Sequence, residues 1–414
     1  MKRVFCLAAM LAGVALAFGG GNSRHGLVGG FPVKDGRPVF PIGFYQMPKT
    51  NAALKTMAKA GINLVQCGNA EDLKRARAAG MMGWVVLPLA STDEAKIRET
   101  VEALKDNPAL VAWEGPDEFV WNLKPADQPS FNTPEAIEHA EVKARTLMPR
   151  LLKNIRLVRS LDSRHPIWIN EAAESDMKLV REYMGRIDIT GCDIYPIHGY
   201  GRHPSVVGDY TDRFLSLGEN RPVWMVLQGF GWQDLHDPHF QESLAYPSFP
   251  ETRLMAYSAI AHGAKGILYW GTYFLPANAE GAALRTSIYA LTSELGKLQP
   301  FLTAPEDASA RVKLTESTGR SVPGERGVRL LARRVGSDWV IVLVNEDNHP
   351  HLGVEVEGLE ALNGRKLVEL YGNETDTISH GEFVTRLMPR EVRVFATSRK
   401  WASSWTSGRD FPGL

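Results

Sequence analysis

Two adjacent carboxylates close the segment Asn107-Pro-Ala-Leu-Val-Ala-Trp-Glu-Gly-Pro-Asp-Glu118. Like charges side by side repel, so one of Asp117 and Glu118 is expected to hold a proton near neutral pH, as a general acid must. The Gly-Pro before the pair ends the apolar run and leaves both side chains at the end of a strand. The competing reading is a solvated pair that caps the next helix. Glu114, four residues before Glu118, could point toward the same end; a buried strand Glu paired with Arg or Lys is the alternative. Other polar and aromatic residues also follow short apolar runs: Gln46, Asn69, Glu171, Asp193 with Tyr195, Gln228, and Trp270 with Tyr273.

The elements that carry these residues alternate with a steady rhythm. Strands are expected at Phe40–Tyr45, Asn63–Cys67, Gly83–Leu87, Leu110–Glu114, Ile167–Asn170, Ile187–Asp193, Val223–Gln228 and Gly266–Trp270. Amphipathic helical patterns lie between them, among them Asn51–Ala60, Thr92–Lys105, Thr133–Leu161, Met177–Met184, Tyr210–Leu217 and Thr252–Gly263, with a last helix near Leu284–Leu298. Thr133-Pro134 is a helix start, a capping residue followed by proline at the first helical position. Eight strand–helix units predict an α/β fold, a (β/α)₈ TIM barrel over residues 28–303. No Gly-x-Gly-x-x-Gly follows the first strand, which argues against a dinucleotide site. In such a barrel the C-terminal strand ends form the active site, and the polar residues above all fall there.

A hairpin with its turn at Asp35-Gly36 precedes the barrel. After Pro300 the helical period disappears. Segments 310–317, 328–335, 338–346, 352–357, 365–371 and 383–397 predict a small C-terminal all-β sandwich over residues 308–398. The tail, 399–414, carries Trp401, Trp405 and Phe411, which are expected to pack back on the body.

Lys2 and Arg3 precede an apolar run from Val4 to Phe18 containing Ala15-Leu16-Ala17. That is the layout of a signal peptide over residues 1–17, so the mature protein is expected to be secreted or periplasmic. Cys6 would leave with it, and Cys67 and Cys192, on separate strands, are expected to be buried free thiols. The 47 basic and 47 acidic residues balance to a net charge of +0. That gives no reason to expect a nucleic-acid or anionic-membrane partner.

Four segments carry a resemblance. Arg37-Pro-Val-Phe-Pro-Ile-Gly-Phe-Tyr45, Val111-Ala-Trp-Glu-Gly-Pro-Asp-Glu118, Asp188-Ile-Thr-Gly-Cys-Asp-Ile-Tyr-Pro196 and Ala261-His-Gly-Ala-Lys-Gly-Ile-Leu-Tyr-Trp270 resemble the first, fourth, sixth and eighth strands of clan A glycoside hydrolases. The resemblance covers roughly residues 30–300. It implies a carbohydrate substrate, no cofactor, Glu118 as acid/base and Trp270 lining a sugar subsite. It also implies a non-proline cis peptide at Trp270-Gly271. Two positions depart from the clan: Asp117 stands where it has Asn, and Gln228 where it has the nucleophilic Glu. An amide cannot act as a carboxylate nucleophile.

Four accounts of Gln228 stay open at this point. Asp193, or else Glu171, replaces the missing carboxylate as nucleophile or base. Alternatively the substrate supplies its own nucleophile, as in enzymes that cleave N-acetylhexosaminides, with Asp117 orienting an acetamido group, Glu118 protonating the leaving oxygen and Gln228 bonding the sugar. Glu114 could join the chemistry, or the chain could bind sugar without cleaving it. Sugar rings stack their C–H faces on aromatic rings. Tyr45, Tyr195, Tyr200, Trp232, Trp270 and Tyr273 are therefore candidate contacts, with Gln228, Glu171, His198 and His203 for hydroxyls. His236-Asp-Pro-His239 lacks metal-site spacing and reads as a loop, so no metal is expected. No Gly-x-Ser-x-Gly elbow is present. Oligomeric state is left open.

Overall fold

The computed structural model describes residues 25–198, 201–219, 221–235, 245–315 and 325–404. The expected leader 1–17, Tyr200, the His236–His239 loop, Trp405 and Phe411 lie outside them. Eight parallel strands close a barrel: β1 Ile42–Phe44, β2 Leu64–Cys67, β3 Met82–Val86, β4 Leu110–Glu114, β5 Ile167–Ala172, β6 Ile189–Asp193, β7 Val223–Gln228 and β8 Gly266–Trp270. Strand β8 pairs with β1 to complete it.

The outer ring is α1 Asn51–Lys59, α2 Ala70–Ala78, α3 Glu94–Leu104, α4 Pro134–Leu161, α5 Met177–Met184, α6 Val206–Leu217, α7 Phe249–Ala261 and α8 Ala279–Lys297. Three helices start earlier than their apolar periods predict, and in two of them polar residues set the start. Ser248 and Glu251 form a reciprocal capping box ahead of α7, and Asn278 caps α8. The third, α6, opens at Val206, ahead of Tyr210, without a side-chain cap.

Parity along the strands decides what faces inward. Trp84, Trp168 and Trp224 fill the interior with their rings, Trp168 lying 6.0 Å from Trp84 and 5.2 Å from Trp224. Gly191 is required opposite them: a Cβ there would stand 2.7 Å from the Asn170 Cα and 2.9 Å from the Trp168 ring. The same parity carries Tyr45, Gln66, Glu114, Asn170, Asp193, Gln228 and Trp270 to the inner face at or near the C-terminal strand ends.

A hairpin of Phe31–Lys34 with Arg37–Pro38 turns at Asp35-Gly36 ahead of the barrel. The C-terminal unit comprises β9 Arg311–Leu314, β10 Val328–Val335, β11 Asp338–Asn345, β12 His351–Glu357, β13 Lys366–Glu369, β14 Thr375–Thr377, β15 Phe383–Leu387 and β16 Val392–Ala396. Sheet β9-β12-β15 faces sheet β10-β11-β16-β13-β14 across a core that includes Ile341, Leu343, Val354, Val356 and Phe395. Run 383–397 is thus two strands, separated by a turn in which Glu391 N–H donates to the Met388 carbonyl. Strand β14 escapes sequence reading because Thr-Asp-Thr has no apolar alternation.

Alternate residues of β11, Val340, Val342 and Val344, face the barrel and join its outer core. This two-sided burial explains the unbroken apolar run of β11. Trp401 packs edge-on to Phe301, ring centroids 4.7 Å apart. Cys67 and Cys192 are buried free thiols. Among the described residues no helix is long and apolar enough to cross a membrane.

Candidate active site

Three carboxyls meet at the C-terminal mouth of the barrel. Strand β4 ends at Glu114, and the chain then turns so that Glu118 takes a left-handed backbone, φ 46°. A non-glycine residue pays for that conformation and keeps it only where its surroundings fix it. Here the Glu118 N–H donates to the Asn170 carbonyl, while Glu171 accepts the Val120 N–H at 2.9 Å. The pair does not cap the short turn Trp121–Leu123, which has no side-chain cap.

Asp193, at the end of β6, is buried and hydrogen-bonded to the Glu118 carboxyl. Burial first, then the Glu118 charge and that hydrogen bond, hold its pKa well above the ordinary carboxylate range. The two carboxyls thus stand in contact at the mouth. The Tyr195 hydroxyl donates to the other side of Asp193, Oδ2, at 3.1 Å. Asp117 reaches solvent at the mouth but has protein on most sides, which pushes its pKa up to about 6; the Asn170 amide donates to its Oδ1 at 3.0 Å and works against that shift.

Glu114 lies one layer deeper and is fully buried. Among the described residues no Arg or Lys pairs with it. Its partners are Trp84 Nε1 at 2.7 Å, Gln66 Nε2 at 3.2 Å and the Tyr45 hydroxyl at 3.2 Å. Burial and the Asp117 charge push its pKa up to about 8.

Glu171 occupies the opposite parity from Trp168 and Asn170, so its side chain points out of the barrel rather than into the cleft. It is fully buried, and Val120 N–H, Ser175 Oγ and Tyr183 Oη all donate to it. From there it braces the loop that carries Glu118, where the sequence reading expected it at the cleft. Burial raises its pKa to about 7.

Gln228 is also fully buried and committed. Its Oε1 accepts the Ile197 N–H at 2.9 Å, and its Nε2 donates to the carbonyls of Ile197 and Phe230, both at 3.1 Å. The amide thus clamps the loop after β6 to the end of β7, and it has no donor left for a sugar. Its hydrogen bonds go to backbone groups, where the sequence reading expected a sugar.

Aromatic rings build one wall of the mouth. Tyr195 stacks on Trp270 with centroids 5.6 Å apart and planes 21° from parallel. Phe230 stands edge-on to both, Trp232 packs behind Phe230 and Tyr195, and Tyr273 stands edge-on to Trp270 and is exposed. Tyr45 sits deeper, against Trp84. His198 is exposed in the same loop that Gln228 anchors, and His203 instead turns to Asn348 of the β-domain. No cis peptide occurs among the described residues, which corrects the expectation at Trp270-Gly271. Gly271 turns the chain by a left-handed φ of 86°, and a Cβ there would lie 2.5 Å from the Phe230 ring.

Sequence reasoning missed Asn170, which fixes both Asp117 and Glu118. Its signal was parity: with Trp168 inside, Asn170 shares that face and Glu171 does not.

The buried acids fix how stability depends on pH. Glu114 and Glu171 have folded pKa values of about 8 and about 7, above the roughly 4.3 of an unfolded Glu. The folded state binds the extra protons, so stability is greatest below the unfolded value and falls as pH rises toward 8. The melting midpoint is expected to drop by about 5 °C or more between pH 5 and pH 8. Glu114→Gln, a mimic of the protonated acid, is expected to flatten that slope; calorimetry across the pH range checks both.

No protein-family model and no curated protein matches the chain. Solved structures do. A glycoside hydrolase family 5 protein from Bacteroides vulgatus is 17% identical with a TM-score of 0.56, the match covering 90% of this chain and 92% of that one. An α-amylase from Geobacillus thermoleovorans, solved with acarbose, is 10% identical with a TM-score of 0.50, covering 86% and 97%. At such identities the likeness is one of fold, and the fold is a (β/α)₈ barrel followed by a β-domain.

Proposed function

We propose that this chain is an exported glycoside hydrolase that cleaves a glycosidic bond in an oligo- or polysaccharide, with Glu118 delivering the proton to the leaving oxygen. The observation that carries the reading is the hydrogen-bonded Asp193–Glu118 carboxyl pair beside the Tyr195–Trp270 wall at the barrel mouth. Two carboxyls in contact share one proton at neutral pH, which keeps an acid available where a sugar can stack. The barrel folds shared with a glycoside hydrolase and an α-amylase are in keeping with this chemistry, although fold alone does not carry it.

The contact also limits the mechanism. Retaining enzymes set their two carboxyls about 5–5.5 Å apart and inverting enzymes about 6.5–9.5 Å apart. A hydrogen-bonded pair is closer than either, so Asp193 supplies Glu118 with its proton rather than attacking the sugar or activating water. The attacking atom comes from water or from the substrate's own acetamido oxygen. Asp117, solvent-facing and braced by Asn170, is the carboxyl left to orient it.

A second reading has its own support. The complete hydrogen bonding of Gln228 leaves no carboxylate in the clan's nucleophile position, as suits a protein that binds sugar without cleaving it. A panel of oligosaccharides and polysaccharides, N-acetylated members included, separates the two. Released sugar supports the hydrolase, and the anomeric configuration of the first product reports how the attack occurs. Quenching of tryptophan fluorescence by intact glycans with no release supports the binding protein.

A further inference from the structure

Glu325, Asp347, His349 and His351 meet in the β-domain, far along the chain from the residues of the barrel mouth. One donor atom from each lies within 4.8 Å of the other three. Glu325 Oε1 is 2.8 Å from His349 Nε2, His351 Nε2 is 3.0 Å from Asp347 Oδ2, and His349 Nε2 is 3.8 Å from that same oxygen. Ligand atoms around a tetrahedral zinc, each about 2.0–2.1 Å from the metal, are spaced about 3.3 Å apart. The measured separations bracket that spacing, and the half-exposed His349 and exposed Glu325 can adjust by the remaining few tenths of an ångström.

We infer that these four side chains form a binding site for a divalent transition-metal ion of the zinc type. Two imidazole nitrogens and two carboxylate oxygens suit zinc and its neighbours better than calcium or magnesium, which take oxygen ligands. Two carboxylates and two neutral imidazoles also cancel a 2+ charge, so the bound site is neutral where Asp347 and His351 are buried.

The surroundings hold the ligands in a usable state. The Asp347 carboxylate accepts the backbone N–H groups of Arg326 and Gly327 at 2.7 and 2.8 Å, which fix its orientation. The guanidinium groups nearby are engaged elsewhere, Arg326 with Asp209 and Arg329 with Glu346. His349 Nδ1 faces the Pro350 carbonyl at 3.4 Å, leaving Nε2 toward the cluster.

The place in the fold gives the ion a task. Glu325 precedes β10, Asp347 follows β11, and His351 opens β12, which belongs to the opposite sheet. A metal here would join the two sheets where the chain crosses between them. Asn348, in the same turn, accepts from His203 of the barrel at 2.9 Å. The sequence reading weighed His236–His239 for a metal and passed over Asp347-x-His349-x-His351, because Glu325 comes to the cluster only through the β10–β11 pairing.

The full-length protein, stripped with a chelator and dialysed, is titrated with zinc ion by calorimetry and then melted with and without it. The inference predicts one zinc per chain and a melting midpoint raised by several degrees. His349→Ala, at a half-exposed position and therefore able to fold, is expected to weaken zinc binding at least about 100-fold and to abolish the shift. A double variant, His236→Ala with His239→Ala, is expected to leave both unchanged. Absence of saturable binding in the wild type, undiminished binding by His349→Ala, or loss of binding in the double variant would each overturn the site.

Discussion

Gln228→Glu is expected to lower stability by about 3–5 kcal/mol at pH 7, and to bring no retaining activity with it. The change looks like a repair, since the resemblance to clan A barrels would put a nucleophilic Glu at this position. The local geometry says otherwise. Gln228 Nε2 donates to two backbone carbonyls, those of Ile197 and Phe230. A carboxylate would aim an acceptor at both, in a site with no solvent access. Its folded pKa would rise above the unfolded value, so the cost of the charge is absent below about pH 4 and grows as pH climbs toward neutrality, while the single O–H of the protonated acid still leaves one of the two carbonyls unpaired. Melting curves at pH 4 and pH 7 check this directly: the variant should melt a few degrees below wild type at the lower pH and roughly 10 °C below it at the higher. A variant that melts like wild type at pH 7 and cleaves glycans with retention would show that the clamp is dispensable.

Asp193→Asn separates stability from catalysis. The substitution keeps the size and polarity of the side chain and can still accept the Tyr195 hydroxyl. It removes a buried acid whose ionisation opposes folding, so the midpoint at pH 8 is expected to equal or exceed that of wild type. Turnover is expected to fall at least about 100-fold, because the pair no longer has a second carboxyl to hold the shared proton. The pH–rate profile should also lose one of its limbs, since that limb reports the pair rather than either residue. Unchanged turnover with an unchanged profile would remove Asp193 from the proton pathway. Loss of stability at pH 8 would mean its role is structural.

The eight strands of the barrel were legible because two-sided burial writes each as a short apolar run bounded by turn residues. Their C-terminal ends then located Asp117, Glu118 and Asp193. Direction was harder to read. Asn170 and Glu171 are neighbours in sequence, and the more acidic one attracted attention; only the inward placement of Trp168 shows that Asn170 faces the mouth. Gln228 is inward by parity, yet two of its three bonds go to the backbone of Ile197, in a loop 31 residues away along the chain. No spacing rule reports such a contact. Glu114 invites pairing with a cation, but the barrel interior offers Trp84, Gln66 and Tyr45 instead, each from a different strand or strand end. The metal cluster was hidden for the same reason, since its fourth ligand arrives through strand pairing.

The central claim is that Glu118 protonates a leaving glycosidic oxygen. It is tested most directly by sugar release from the glycan panel, with wild type beside Glu118→Gln. The account predicts release by wild type and a loss of about 100- to 10,000-fold in a variant that still folds and still binds the same glycan. Equal release by the two proteins, or binding without release by wild type on every glycan, would contradict it.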